Sequence, residues 1–313
     1  MLLAHPGVEH PGYDDTCLSH AILARRALLA HPYDTSSFPP GKRIRMAKFI
    51  HITDTHLVTP GEPLYGLDPY ARLVACVDDI LEHHTDAQCC VITGDLTHRG
   101  EATGYAALRE QLDRLPFPVF PLMGNHDLRS AFTGSFPDRL RDADGFVQGR
   151  FDIGDGTLLM LDTLDEGQHG GLYCEARLAW LARQLDEAGD RPVYLFMHHP
   201  PFDIGIPSLD HIGLANPEAF LKCVGGRKNV RHLFFGHVHR PVCGSWHGIP
   251  YSTMRGLNHQ VPFDMHTVDL VRQSHEPPAY AVVLLAADQV TVHFHDYLDK
   301  SALVDEDAGM RSM

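Results

Sequence analysis

The chain has 313 residues, 44% of them hydrophobic, and 40 acidic against 26 basic side chains give a formal net charge of -14 at pH 7. This length allows one large α/β domain or two small ones, and the acidic balance argues against a nucleic-acid polymer as partner, because such proteins present a basic surface to phosphates. No apolar run reaches the ~18 residues that cross a bilayer, so no membrane partner is expected.

Residues 1–45 differ in composition from the rest of the chain. They contain His-Pro, Pro-Gly and Pro-Pro steps, which interrupt regular structure, and only residues 16–30 show a helical pattern. We therefore predict an N-terminal extension over 1–45, either accessory to the domain or docked on it through this helix. No basic segment precedes the apolar stretch at 21–30, so a secretory signal is not expected.

From residue 46 onward, short apolar runs alternate with amphipathic stretches. The runs are rich in β-branched and aromatic residues and predict buried strands at 48–52, 89–92, 119–122, 193–196 and 232–235. Helices are predicted at 69–84, 101–115 and 175–188, where apolar residues recur with the helical period. Such alternation is typical of parallel βα units.

Five short blocks rich in metal-ligand residues follow these strands. They are Asp54-Thr55-His56, Gly94-Asp95, Gly124-Asn125-His126-Asp127, His198-His199 and Gly236-His237-Val238-His239. One such block alone is weak, since a histidine or aspartate in a loop is usually solvated or caps a turn. Open α/β sheets place their sites at strand ends, so the ordered set predicts a metal site there.

The C-terminal part changes character. Strands are predicted at 251–254, 280–286 and 290–295 without long helices between them, and we expect them to belong to a second sheet packed face to face on the first. The domain is predicted to occupy 46–300, with a tail at 301–313. Seven cysteines show no zinc-site spacing, which indicates reduced thiols and a cytoplasmic protein.

Together the five blocks resemble the signature of the calcineurin-like metallophosphoesterases, which runs D-x-H, G-D, G-N-H-[DE], a histidine block and G-H-x-H. The resemblance covers roughly residues 46–296. Within the superfamily the chain looks most like bacterial class III cyclic nucleotide phosphodiesterases and glycerophosphodiesterases. The motifs that carry this closer likeness are Ile52-Thr53-Asp54-Thr55-His56, Leu64-Tyr65-Gly66, Met197-His198-His199-Pro200-Pro201 and Asn258-His259-Gln260-Val261-Pro262.

The resemblance implies an α/β fold, a four-layer αββα sandwich of two mixed β-sheets flanked by helices, with a dinuclear metal site at the strand-end loops. It also implies that Asp95 bridges the two metal ions. The first site would be completed by Asp54, His56 and His239, and the second by Asn125, His198 and His237. An extended backbone in the first and last blocks would put both ligands of each block on one side.

The implied donors are imidazoles, carboxylates and one amide. They suit two divalent or trivalent transition metal ions per chain, Fe, Mn, Zn or Co, better than a structural zinc cage or magnesium. Two ions about 3.5–4 Å apart lower the pKa of a bound water and neutralise charge in an in-line displacement. The chain is therefore predicted to hydrolyse small phosphodiesters through attack of metal-bound hydroxide.

The same resemblance gives His126 a catalytic role, either stabilising the phosphate or protonating the leaving alkoxide. Some members orient this histidine with an acid at the position of His98, so its partner in this chain stays open. Asp127 is one candidate, and it could instead only cap the following turn. His199 is expected either beside the metal site or simply buried. Substrate contacts are predicted for Asn125, His126, His98 and His259.

Several functions remain open at this stage. The substrate is predicted to be a cyclic nucleotide or a glycerophosphodiester, with a broad-specificity phosphomonoesterase or phosphonate esterase as the alternative. A phosphoprotein substrate is disfavoured because His98 replaces the acid that protein phosphatases of the superfamily carry. A non-catalytic metal-binding scaffold is disfavoured because no ligand is missing, and a DNA nuclease because no basic, aromatic tract is present. A homo-oligomer is expected.

Overall fold

The computed structural model describes residues 46–301, so the predicted extension at 1–45 with its helix, and the tail from 302 onward, lie outside the described residues. The first half contains β1 (Ala47–Ile52), α1 (Pro69–His83), β2 (Cys90–Ile92), α2 (Ala102–Leu112), β3 (Val119–Pro121), α3 (Arg129–Ser135), β4 (Gly149–Ile153) and β5 (Gly156–Met160). The second half contains α4 (Glu175–Ala188), β6 (Val193–Met197), α5 (Pro207–Asp210), α6 (Pro217–Val224), β7 (Val230–Phe235), β8 (Val242–Trp246), β9 (Ile249–Thr253), β10 (Tyr280–Leu285) and β11 (Val290–His295). Within 46–301, no helix combines the length and apolarity that crossing a bilayer requires.

The strands form two mixed sheets. The first has the order β11-β10-β1-β2-β3, with β1, β2 and β3 parallel and β10 antiparallel to β1. The second has the order β4-β5-β6-β7-β9-β8, with β5, β6, β7 and β9 parallel and both edge strands antiparallel. The predicted parallel βα units are therefore present in both sheets.

One part of the predicted arrangement is wrong. Strands β10 and β11 do not belong to the second sheet but extend the first one beside β1, where Ala47 pairs with Leu285. The second sheet is instead built from β4 to β9, and its β4–β5 hairpin at 149–160 was not predicted. Sheet membership depends on pairing between segments far apart in the chain, which a local pattern does not encode.

Apolar side chains divide the sandwich into three cores. Between the sheets, the Phe49 ring lies edge-on at 5.5 Å from Phe196 and 5.6 Å from Phe234. The outer face of the first sheet packs on α1 and α2, and the outer face of the second packs on α4 and α6. This is the predicted αββα sandwich. Each fully buried large apolar side chain stabilises it by about 1.5–3 kcal/mol.

Local signals explain where the first helix begins. The Asp68 carboxylate accepts a hydrogen bond from the Ala71 N–H, and Pro69 occupies the first turn, where its missing N–H costs nothing. The buried face of α1 then places Leu73, Val77 and Ile80 against the sheet. Because the parallel strands of both sheets run the same way, the loops that follow them gather at one edge of the sandwich.

Candidate metal centre and substrate pocket

All five ligand blocks lie at the carboxyl ends of parallel strands. They follow β1, β2 and β3 in the first sheet and β6 and β7 in the second. The two sheets therefore contribute to one cluster, although the blocks are spread over nearly two hundred residues of sequence. Of the seven predicted ligands, six are buried and Asn125 is half-buried.

A first group of donor atoms comes from Asp54, His56, Asp95 and His239, and these atoms all lie within 4.8 Å of one another. The Nε2 atoms of His56 and His239 are 3.1 Å apart. His56 Nε2 lies 3.3 Å from Asp95 Oδ2, and His239 Nε2 lies 3.4 Å from Asp54 Oδ1. This group has the size and composition of one metal site.

A second group lies on the other side of the same aspartate. Asn125 Oδ1 is 3.2 Å from His198 Nε2 and 3.0 Å from His237 Nδ1. Asp95 Oδ1 is 3.4 Å from His198 Nε2, whereas its Oδ2 faces His56 of the first group. The two oxygens of Asp95 thus face different groups, which is the placement that a bridging carboxylate requires.

The tautomers and the pKa shifts of these side chains favour binding of a cation. His198 Nδ1 donates to the Thr93 carbonyl and His239 Nδ1 to the His259 carbonyl, each at 2.7 Å, so both Nε2 atoms carry free lone pairs toward the cluster. Burial keeps the pKa of His56 and of His237 well below the usual value. Burial also raises the pKa of Asp54, so an ionised carboxylate there needs nearby positive charge.

The backbone at the ligands differs from the expected one. Five of the seven predicted ligands have positive φ: Asp54 at 52°, His56 at 43°, Asp95 at 48°, His237 at 70° and His239 at 50°. The first and last blocks are therefore not extended, and the expectation that simple alternation aligns their ligands is wrong. Left-handed φ is uncommon in non-glycine residues, and such strain concentrates at functional sites.

Two motif glycines are required by close approach. A Cβ on Gly124 would lie 2.6 Å from the Asp95 nitrogen and 2.6 Å from His198 Cε1, inside the cluster. Gly94 has φ of 94°, and a Cβ there would lie 2.6 Å from His198 Nδ1. The glycines of the second and third blocks thus let two loops meet at Asp95.

His126 lines the pocket, and its partner is a backbone group. Its Nδ1 donates to the His98 carbonyl at 2.8 Å, and its ring stacks on the His98 ring with centroids 4.8 Å apart. Burial lowers the pKa of His126, but the Asp95 carboxylate and the His98 carbonyl outweigh it, so the pKa lies above the usual value. Burial, followed by the effect of His126, lowers the pKa of His98 to about 4.

Asp127 does not hold the His126 ring. Its carboxylate accepts from the N–H groups of Leu96, Thr97 and Gly124 and from the Tyr105 hydroxyl at 2.8 Å. Burial, with a contribution from Asp95, raises the pKa of Asp127 to about 6. The residue therefore joins the loops after β2 and β3. It does not cap the following turn, because the helix that begins at Arg129 has no side-chain hydrogen bond at its cap, so both roles considered for Asp127 are wrong.

The remaining predicted residues lie around the two groups. His199 is fully buried, and its Nδ1 is 2.8 Å from Thr163 Oγ1. The His259 ring lies 4.7 Å from the rings of His56 and His239, and burial lowers its pKa to about 2. His259 thus borders the first group and fixes the His239 tautomer through its carbonyl.

A cavity of about 240 Å³ opens beside both groups. Its lining includes residues that the sequence analysis did not assign to the site: Tyr65, His169, Leu209, His211, Ile212, Val261, Val271 and Gln273. Tyr65 and Val261 belong to motifs used for the resemblance. The other six residues carry no local signal, because only the tertiary fold brings them to the cavity.

Comparisons with known proteins place the chain in a family. The family model described as calcineurin-like phosphoesterase matches residues 47–241. A probable cyclic nucleotide phosphodiesterase of Rhodopseudomonas palustris is 47% identical over 249 residues, covering 79% of this chain and 91% of the relative. The glycerophosphodiester phosphodiesterase GpdQ of Enterobacter lignolyticus is 30% identical over 225 residues, covering 68% of this chain and 78% of that protein.

Among solved structures, a dimetal phosphatase from Danio rerio superposes with a TM-score of 0.60 at 18% sequence identity. The superposition covers 81% of this chain and 97% of that one. At this level of identity the likeness concerns the fold, and it agrees with the two mixed sheets and their flanking helices.

Proposed function

The chain belongs to the calcineurin-like phosphoesterase family, and from this premise we propose that it hydrolyses small phosphodiesters at a dinuclear metal centre. The observation that carries the proposal is Asp95, whose two carboxylate oxygens face two separate groups of buried donors. A centre of this kind serves phosphoester hydrolysis, because water is a poor nucleophile and the phosphate oxygens repel it.

We assign the ligands as the sequence analysis did. Asp54, His56 and His239 would hold one ion and Asn125, His198 and His237 the other, with Asp95 shared. When bound, the two ions would supply an acidified water and compensate the charge on the phosphate. Without thiolate, and with so many imidazoles, this donor set favours Fe, Mn, Zn or Co.

The side chains around the metal groups perform the remaining steps. His126 donates a proton from its pocket-facing Nε2 to the departing alkoxide, while the His98 carbonyl holds Nδ1–H and fixes the ring. Stacking on neutral His98 restricts the ring further without placing a second positive charge beside it. We also assign to Asn125, which is half-buried and lines the pocket, a contact with a phosphate oxygen as well as with a metal ion.

Cyclic nucleotides are our first choice of substrate. The 47% identical relative is named as a probable cyclic nucleotide phosphodiesterase, whereas the relative named for glycerophosphodiesters is 30% identical. A pocket of about 240 Å³ also suits a small diester better than a polymer. A broad-specificity phosphomonoesterase or phosphonate esterase remains the second candidate.

A substrate panel tests the proposal. Metal-reconstituted protein would be assayed with 3′,5′- and 2′,3′-cyclic nucleotides, glycerophosphocholine, bis(4-nitrophenyl) phosphate, 4-nitrophenyl phosphate and a phosphonate ester. We expect kcat/KM for at least one diester to exceed that for the monoester by tenfold or more, which is about 1.4 kcal/mol. A preference for the monoester would support the second candidate, and no turnover with any metal would support a scaffold.

The cellular assignments are separate proposals. Limited proteolysis tests the domain boundaries at 45 and 300. Light scattering tests the homo-oligomer, and cell fractionation tests the cytoplasmic location. None of these measurements depends on the identity of the substrate.

A further inference from the structure

The pocket has two chemically different walls. One is formed by the metal-ligand groups with His98 and His126, and the other by the apolar side chains of Leu209, Ile212, Val261 and Val271. The polar side chains of Gln273, His169 and His211 also line the pocket. The polar wall accounts for a phosphate. The apolar wall is not used by the proposed chemistry, and the volume of about 240 Å³ limits what it can take to one small ring system.

Gln273 is one of the polar residues that line the pocket beside the apolar wall. Its side-chain carbonyl Oε1 is buried and has no hydrogen-bond partner within residues 46–301. Buried polar atoms are nearly always paired, and Gln273 lines the pocket, so a ligand that reaches its amide after a small rotation of the side chain would complete its hydrogen bonding. An amide presents a donor and an acceptor side by side, whichever way its two ends are assigned.

The loop that carries Gln273 is held in place. The backbones of Gln260 and Ser274 exchange two hydrogen bonds, at 2.9 and 2.7 Å. The Gln260 side chain in turn bonds the N–H and the carbonyl of Gly256, at 2.9 and 2.7 Å. The Gln273 amide is therefore presented by a fixed backbone next to His259, which reduces the entropic cost of using it in recognition.

Tyr65 stands at the rim of the same pocket with 46% of its surface exposed. Leu64 and Leu67 exchange backbone hydrogen bonds at 2.9 and 3.0 Å, and between them Tyr65 has φ of 52° and Gly66 has φ of 80°. A bulky residue with positive φ is an outlier that surrounding structure must maintain. One edge of the ring packs on His259, with centroids 4.7 Å apart.

We propose that Tyr65 and Gln273 form a subsite for the nucleobase of a nucleotide phosphodiester. The base lies against the Tyr65 ring and the apolar wall, and its edge pairs with the Gln273 amide. A glutamine amide matches the adjacent amine and ring nitrogen of adenine, a bidentate pairing seen in base recognition. A glycerol group would instead bury hydroxyls against aliphatic side chains, which costs free energy because those hydroxyls lose their hydrogen bonds to water. The assignment of the phosphate to the metal side rests on the proposed function.

Binding measurements test this subsite without turnover. Calorimetry would compare adenosine 5′-monophosphate with ribose 5-phosphate on metal-reconstituted protein, since the latter keeps the sugar and the phosphate but carries a hydroxyl in place of the base. We expect the nucleotide to bind at least about tenfold more tightly, as one good stacking or hydrogen-bonding contact supplies. Gln273→Leu and Tyr65→Leu should each remove most of that advantage and leave ribose 5-phosphate within about twofold. Tyr65→Phe should retain it.

The matched control is Gln289→Leu, because the Gln289 side chain lies exposed in the β10–β11 turn and, within residues 46–301, donates a hydrogen bond to Thr291 alone. It should bind both ligands as the unmodified protein does. Equal affinity of the unmodified protein for the two ligands would overturn the subsite. It would also be overturned if the Gln273 and Tyr65 variants lost affinity equally for both ligands. A base preference in a protein that hydrolyses no diester would refute the proposed function while leaving the subsite standing.

Discussion

Asp95→Asn probes the bridge between the two donor groups. The substitution keeps the size and shape of the side chain, and the Asn oxygen can still accept from the His126 N–H, as Asp95 Oδ1 does at 3.0 Å. The fold should therefore survive. What changes is that one of the two metal-facing atoms becomes an NH₂ group, which cannot bind a cation, and one negative charge disappears.

The loss can be estimated from the charge alone. Two opposite unit charges about 4 Å apart attract by about 4 kcal/mol at an effective dielectric constant of about 20. The second carboxylate among the assigned ligands, Asp54, faces only the first group, so the second site would retain no carboxylate. At about 1.4 kcal/mol for each factor of ten, we expect metal affinity at that site to fall by nearly a thousandfold.

Metal content per chain by elemental analysis, after dialysis at defined free metal, measures this directly. We expect two ions in the unmodified protein, at most one in Asp95→Asn, and loss of hydrolysis. The control is Asp138→Asn, an exposed carboxylate paired with Arg109, which should bind metal normally. Two tightly held ions in Asp95→Asn, with a normal circular dichroism spectrum, would refute the bridging assignment.

Four further predictions concern other parts of the chain. Asn125→Ala should spare the first metal site and weaken only the second, so elemental analysis should find about one ion per chain where Asp95→Ala retains none. His126→Ala should bind both ions and lose rate by roughly 10²–10⁴, and the loss should shrink for a 4-nitrophenolate leaving group if the histidine donates a proton; equal losses for good and poor leaving groups would favour phosphate positioning. His51, buried between the rings of Phe196 and Phe234, has its pKa lowered by burial to about 3, so the unfolded chain binds the extra proton and stability falls as the pH drops below about 6.5. Between pH 7.5 and 5.5, the free energy of unfolding of the metal-free protein, measured with denaturant, should fall by about 1.4 kcal/mol more in the unmodified chain than in His51→Phe. An equal fall in both proteins would contradict this. Removing residues 1–45 should leave two bound ions and kcat/KM within a few-fold, because every assigned ligand follows residue 46; a loss of ~10-fold or more, insolubility or a changed light-scattering mass would show that the boundary is misplaced.

The sequence predicts well that the ligand blocks lie in loops directly after strands. Each ligand block follows an apolar run of three to six residues that forms a strand, and parallel βα order is enough to bring those loops to one edge. It does not predict how the loops meet. The left-handed backbone of His237 and His239 arises from contacts with other loops, such as the Asp54 carboxylate that accepts from the His237 N–H.

Other features depend on contacts between segments far apart in sequence. The partner of His126 is a carbonyl, which every residue carries, so residue types gave no clue to it. Gln273 lies in a stretch without regular pattern and reaches the pocket only through the Gln260–Ser274 pairing. The position of β10 beside β1 is likewise set by tertiary pairing rather than by local composition.

That pairing has a consequence for how the protein forms during synthesis. Strand β1, which leads to Asp54, lies between β2 and a partner near the other end of the described chain. The ribosome synthesises the N-terminal part first, so one edge of the apolar strand β1 stays unpaired until residues 280–285 have been synthesised. Pairing between strands so far apart in sequence slows folding and leaves an intermediate that is prone to aggregation. Chains cut short before β10 should therefore aggregate or engage chaperones, although every assigned ligand is already present in them.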